Sequence, residues 1–313
     1  MKVAIVGGAG RVGATTAFAL QCGAIVDQIA LIDVMTEQAQ GEALDLRHGA
    51  SLYGGQHFTA GGYELLERSD IIVVSAGLRR KPDESRLDLI NRNVSLLREH
   101  ILPPIADAHL PHSALLIMVA NPVDILTHIA IEEAGLPPTQ VFGTGTMLDT
   151  ARLRGFVGEY VGVDPQQVDV LMLGEHGDTM VPIWSRAQVN GVPLESLEGC
   201  TPDALADIFQ RTKTSGADVI RLKGGAAWSI ALVTRAIVEA IALNRSVLLP
   251  LSVLQHGAFG MQDVCLSLPT PLGSAGVGDP VEIAVSDSER EALLHSAAVL
   301  RDTMSEVRGT RTA

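Results

Sequence analysis

The chain has 313 residues, 47% hydrophobic and 19% charged, enough apolar material for about two packed domains; this excludes a disordered chain. Its 36 acidic residues outnumber 23 basic ones, for a formal charge of −13, which argues against nucleic-acid and anionic-membrane partners, since both attract Lys and Arg. A small anionic substrate stays compatible, because a few local arginines override a global field.

In chain order, apolar runs predict strands at Val3–Val6, Gln28–Ile32, Ile71–Ser75, Leu115–Val119 and Val141–Phe142. Helical patterns fall between them, at Val12–Gln21, Glu37–Arg47, Arg86–His100 and Val123–Glu133. Apolar strands separated by helices imply a parallel sheet covered on both faces. Past residue 144 the pattern changes. A helix over Met147–Val161 precedes a strand over Val168–Leu173, then helices over Pro202–Leu222 and Ala226–Leu243. The latter has almost no polar face and is expected to be buried. Leu248–Leu254 and Asp263–Leu268 suggest an antiparallel pair, and Ser286-x-x-Glu289 is a capping box opening a last helix to about Val307. The expected class is α/β: a Rossmann-type doubly wound parallel sheet over residues 1–143, then an α+β substrate domain with antiparallel strands over 144–313.

Ala114–Ala120 reads as a buried strand, since no apolar run approaches the ~18 residues of a membrane helix. The chain starts straight into a glycine turn without a signal-peptide cleavage pattern. Cys22, Cys200 and Cys265 are far apart and form no CxxC, so neither a disulfide framework nor a zinc site is expected, and a reducing cytoplasm fits.

The strongest local signal is Val3-Ala4-Ile5-Val6-Gly7-Gly8-Ala9-Gly10-Arg11-Val12-Gly13. A strand enters a glycine turn and a helix leaves it, where bare backbone and a helix N-terminus accept a pyrophosphate. The glycines alone would also serve a tight β–α turn. Asp33 lies 20 residues after Gly13 at the end of the second strand. There a carboxylate accepts both ribose hydroxyls and repels a 2′-phosphate, which favours NAD, although it would also serve as a helix cap. Gly77-Leu78-Arg79-Arg80-Lys81-Pro82-Asp83-Glu84-Ser85-Arg86 concentrates cations after a strand's carboxyl end, which suggests an anion site or else a solvated loop. Val119-Ala120-Asn121-Pro122-Val123-Asp124 ends another strand, and Asn121 is either a turn residue or a ligand for substrate oxygen or nicotinamide. Leu148-Asp149-Thr150-Ala151-Arg152 lies on a helix, and Gly174-Glu175-His176-Gly177-Asp178 follows a strand. His176 sits in a polar, glycine-flanked turn where general-acid duty needs it. His109-Leu110-Pro111-His112 has a metal-like spacing but reads as a solvated loop.

In this order the motifs resemble the lactate/malate dehydrogenase family over nearly the whole chain. The resemblance implies His176 as acid/base with Asp149 as its partner, Arg152 on the substrate carboxylate, Asn121 in the site, and Arg80 and Arg86 on a mobile loop. Arg86 would polarise the carbonyl and Arg80 would choose the substrate. It also implies NAD contacts from Gly7, Gly8, Gly10, Arg11, Val12, Gly13, Asp33, Asn93, Val119 and Asn121, no metal, and a homotetramer or homodimer. Lactate enzymes typically carry Gln at the position of Arg80 and malate enzymes Arg, and Ala226 stands where lactate enzymes tend to have a larger Thr. Both features lead to the expectation of a malate dehydrogenase of the lactate-dehydrogenase-like branch, acting on malate and oxaloacetate in the tricarboxylic acid cycle. Asp83-Glu84-Ser85 is more lactate-like. The alternatives are an L-lactate or broader 2-hydroxyacid dehydrogenase, an NAD-dependent glycosidase (whose Cys/His metal pair is not found in this sequence), and an NAD-binding protein without activity.

Overall fold

The computed structural model describes residues 1–79 and 83–309. The first half alternates strand and helix: β1 (Lys2–Val6), α1 (Arg11–Gly23), β2 (Gln28–Ile32), α2 (Thr36–Ala50), β3 (His57–Gly61), β4 (Ile71–Val74), α3 (Arg86–Leu96), α4 (Leu102–Asp107), β5 (Leu115–Met118), α5 (Val123–Glu133) and β6 (Val141–Gly143). The second half opens with α6 (Met147–Val161) and the short strands β7 (Val168–Asp169), β8 (Met172–Leu173), β9 (Val181–Pro182), β10 (Gln188–Val189) and β11 (Val192–Pro193). It continues with α7 (Pro202–Lys223), α8 (Trp228–Ala242), β12 (Val247–His256), β13 (Gln262–Gly273), β14 (Gly276–Val277) and α9 (Asp287–Gly309).

Strands β3-β2-β1-β4-β5-β6 lie side by side and parallel, the Rossmann order. The order reverses between β1 and β4, which opens a crevice at their carboxyl ends. Each strand sends alternate side chains to opposite faces. Val3, Ile5, Ile29, Leu31, Ile71 and Val73 enter one core, while Ala4, Val6, Ala30, Ile32, Ile72 and Val74 enter the other. Burying each such Val, Leu or Ile contributes about 1.5–3 kcal/mol, so two buried faces make this sheet the rigid frame for the crevice. The β12–β13 hairpin extends the same sheet through the pairing of Ser252 with Gly143. A third core, with Leu153, Val157, Val168, Met172 and Val189, forms around α6 and the short strands.

Besides the short strands β9, β10, β11 and β14, which the sequence did not lead one to expect, four elements depart from the sequence expectation. β3 was not expected; it is an edge strand with Phe58 as its one buried apolar side chain, too few to make an apolar run. The helix expected over Arg86–His100 gives way at Leu97–Ile101 to a π-helical turn before α4. Pro103 and Pro104 follow, and two missing N–H donors loosen the ladder there. The strand expected over Val168–Leu173 divides, because β7 pairs with β10 and β8 with β9. α8 is not wholly buried: Ala231, Ile237 and Ile241 face the core, whereas Trp228 and Leu232 are 64% and 58% exposed. An all-apolar helix does not show in sequence which of its sides the chain itself covers.

Candidate active site

The glycine turn is built around close contact. The Gly7 N–H donates to the Ile32 carbonyl at 2.8 Å, and the Gly10 N–H donates back to the Gly7 carbonyl at 3.0 Å. A Cβ on Gly13 would lie 2.2 Å from the Gly7 oxygen, so only glycine lets α1 seat its first turn on the loop. The first i→i−4 bond of α1 runs from Ala14 to Gly10. The N–H groups of Arg11, Val12 and Gly13 precede it and face the crevice end of the helix dipole. Asp33, at the end of β2, accepts the Ala9 N–H at 2.9 Å and the Met35 N–H at 3.0 Å. Each oxygen keeps a lone pair for a hydroxyl donor. The Arg11 guanidinium donates to the Lys223 carbonyl and so ties the turn to the end of α7. A bare glycine cradle, unpaired first-turn donors and a carboxylate at the neighbouring strand end fit a dinucleotide.

Further along the sheet's carboxyl edge, Val119 is buried and its N–H donates to the Val74 carbonyl at 2.9 Å. Asn121 follows at the start of the α5 segment and is exposed. Asn93 is buried on α3. Its amide accepts the Leu78 N–H at 2.7 Å and donates to the Leu78 and Leu89 carbonyls. It therefore secures the start of the loop that carries the cations.

His176 is placed from three sides. β8 is followed by Gly174, whose φ of +84° turns the chain and whose backbone pairs with Ser267 of β13. From α6, Asp149 Oδ2 accepts the His176 Nδ1–H at 2.5 Å. One turn along the same face, Arg152 donates to Asp149 Oδ1 at 3.0 Å, the i,i+3 spacing that lets both reach one point. From α5, Asp124 Oδ2 accepts the His176 backbone N–H at 2.8 Å, and Asp124 Oδ1 accepts the Ser252 hydroxyl at 2.6 Å. Asp149 is 1% exposed at its side chain and His176 22%, so the pair is sheltered while part of the His176 ring stays accessible.

Burial by itself would push the His176 imidazole down. The Asp149 carboxylate, by charge and hydrogen bond, and then Asp124 outweigh it, and the pKa stands above the ordinary histidine value. Burial would likewise raise Asp149, but His176 and Arg152 hold its carboxyl below the usual range. Asp124 goes the other way: burial pushes it up to about 6 despite its bonds from Ser252 and His176. Both shifts favour the charged pair: Asp149 holds Nδ1–H, and Nε2 is the ring nitrogen left to exchange a proton.

Arg86 opens α3, whose N-terminus is closed by a Ser85–Asp88 capping box. Its guanidinium donates to Glu175 at 2.6 Å and to Asp178 at 2.9 Å, the acidic residues flanking His176 in the same turn. Glu175 is itself buried and accepts from the Thr179 N–H and hydroxyl. The structure thus brings His176, Asp149, Arg152 and Arg86 into one cluster. Arg80 lies outside the described residues. His109 stands apart, exposed beside Glu67, and among the described residues no group of three or more His, Cys, Asp or Glu side chains is arranged to hold a metal. Asp124, Ser252 and Glu175 belong to the site but were not singled out in the sequence. Asp124 and Glu175 stand within motifs already noted, whereas Ser252 lies over a hundred residues away in an apolar strand and leaves no sequence signal.

A dinucleotide crevice leading to a His–Asp pair and two arginines defines an NAD-dependent oxidoreductase. Family models agree: residues 1–143 match the NAD-binding domain of lactate/malate dehydrogenase, and residues 146–310 match its alpha/beta C-terminal domain. The chain belongs to the lactate/malate dehydrogenase family and uses NAD. It is 41% identical over 305 residues to an L-lactate dehydrogenase of Salinibacter ruber, which covers 96% of each chain. It is 39% identical over 312 residues to an L-lactate dehydrogenase of Gloeobacter violaceus, covering 98% of this chain and 93% of the relative. The minor L-lactate dehydrogenase of Enterococcus mundtii, a solved structure with bound ligands, superposes with a TM-score of 0.92 at 32% identity over 98% of both chains.

These relatives overturn the expectation of a malate dehydrogenase, and with it a place in the tricarboxylic acid cycle. Proteins similar to this chain from end to end carry the name L-lactate dehydrogenase. One arginine in the loop and one alanine before α8 were too narrow a basis for the substrate, which a whole closed pocket selects.

Proposed function

We propose that the protein is an NAD-dependent L-lactate dehydrogenase, or a 2-hydroxyacid dehydrogenase of that type, interconverting L-lactate and pyruvate. The 2.5 Å contact of His176 Nδ1 with Asp149, with Arg152 on the same carboxylate, supports the 2-hydroxyacid chemistry, and the end-to-end similarity to proteins named L-lactate dehydrogenase supports lactate as the substrate. In this reading residues 1–143 hold the cofactor and 144–313 supply most of the substrate site. Assembly as a homodimer or homotetramer belongs to the same reading. It is supported by the bare apolar side of α8 and the adjoining cleft of about 400 Å³ between α6, α8 and β12, and is checked by sedimentation.

NADH held in the crevice would supply a hydride to the keto carbon of the substrate. As charge grows on the keto oxygen, protonated His176 donates from Nε2. Asp149 keeps the ring in the correct tautomer and stabilises the imidazolium. Arg152 anchors the substrate carboxylate with the guanidinium donors not spent on Asp149. Arg86 leaves Glu175 and Asp178 to polarise the carbonyl when the loop closes and sheds water. The glycine turn and first turn of α1 would hold the NADH pyrophosphate, and Asp33 its adenosine ribose.

Steady-state NADH oxidation with pyruvate, oxaloacetate and 2-oxoisocaproate side by side tests the reading. Pyruvate is expected to give the highest kcat/KM. A preference for oxaloacetate by more than about tenfold would refute it.

A further inference from the structure

Asp124 is a second buried carboxylate beside His176, and it differs from Asp149 in kind. It touches the histidine at the backbone rather than the ring, and the residue is 3% exposed. Its other oxygen takes the Ser252 hydroxyl of β12. An asparagine would make both contacts, with its carbonyl accepting the His176 N–H and its amide donating to the Ser252 hydroxyl oxygen. A charge in such a place costs free energy unless something nearby uses it. Around it stand His176, which attracts, Glu175, which repels, and the Cys265 thiol of β13, which burial and Asp124 both push up. Around His176 stand Asp149 and Arg152 of α6, Asp124 of α5, and Glu175, itself paired with Arg86 of α3. The imidazolium is thus the positive charge that bears on Asp124.

We propose that Asp124 is a positioning residue for His176, its buried charge helping to hold the imidazole protonated while its hydrogen bond fixes the loop against α5. This rests on the reading of His176 as proton donor. Two carboxylates then act on one histidine in different ways: Asp149 orients the ring, and Asp124 sets the field and the backbone.

The test uses the full chain with isotope-labelled histidine, His176 being assigned by its loss in His176→Asn. In Asp124→Asn both contacts persist and only the charge is lost. The His176 pKa is expected to fall by about one pH unit. The basic limb of kcat/KM for pyruvate reduction should move down by the same amount, with NADH affinity unchanged. Ser252→Ala should shift it in the same direction but less, because it weakens the ionised form of Asp124 without removing it. A purely structural role leaves the titration of Asp124→Asn within about 0.2 of the wild type, and that result overturns the proposal. The NMR titration needs no turnover. A wild type that is inactive on pyruvate therefore refutes the function, while an active wild type with an unshifted variant refutes only the role of Asp124.

Discussion

At the scale of single residues, the site sets two aspartates in opposite electrostatic positions. Asp149 has a cation on each oxygen and ionises readily; Asp124 has hydrogen bonds and burial, and its pKa rises to about 6. The sign of the linkage follows. A carboxyl whose pKa is raised on folding supports the fold while protonated, and that support is lost as pH rises through its folded pKa. From an ordinary 3.8 to about 6, the full cost is about 3 kcal/mol above neutral pH. Asp124→Asn carries no such cost. Denaturant unfolding at pH 5 and pH 8 should therefore show the variant gaining about 1–2 kcal/mol on the wild type between the two. A stability difference that does not change with pH would mean that the Asp124 carboxyl keeps its ordinary pKa inside the fold. The gain in stability would come with an imidazole that is less often protonated at a given pH, the usual exchange at a functional group.

At the scale of elements, the β1–α1 turn is the part of the site most directly written in the sequence. Its glycines are required by contacts that a side chain would fill, and Gly13→Ala places a methyl 2.2 Å from the Gly7 carbonyl. That substitution is expected to displace the first turn of α1 and lower NADH affinity at least about tenfold, read by fluorescence titration. Affinity within twofold of the wild type would show that the turn yields and that the fit is not needed. Strands buried on both faces and helices with caps were legible for the same reason: the burial pattern repeats within one element. What was not legible depends on distant partners. Ser252 looks like any polar residue in an apolar strand until β12 meets α5. β3 has one apolar anchor, and the side of α8 that stays bare cannot be found from a helix that is apolar all round. The substrate was misread from Ala226 and from Arg80, which lies outside the described residues; two positions are too few to settle which substrate binds.

At the scale of the whole molecule, one sheet joins the two halves of the chain. Its parallel part carries the glycine turn and Asp33 at its carboxyl edge, and its β12–β13 extension carries Ser252 and Ser267, which brace the His176 loop. The glycine turn and His176 are thereby held on one rigid frame, while Arg86, half-exposed, pairs with Glu175 and Asp178 at the start of α3. The division of labour has a direct consequence: removing the proton donor should leave the dinucleotide site intact. The decisive measurement is pyruvate-dependent NADH oxidation by the wild type and by His176→Asn, with NADH affinity measured in parallel. The wild type should turn over, and the variant should lose about 10²–10⁴-fold in kcat/KM at unchanged NADH affinity. A variant that keeps more than a tenth of the wild-type activity would contradict the assignment of His176 as the acid.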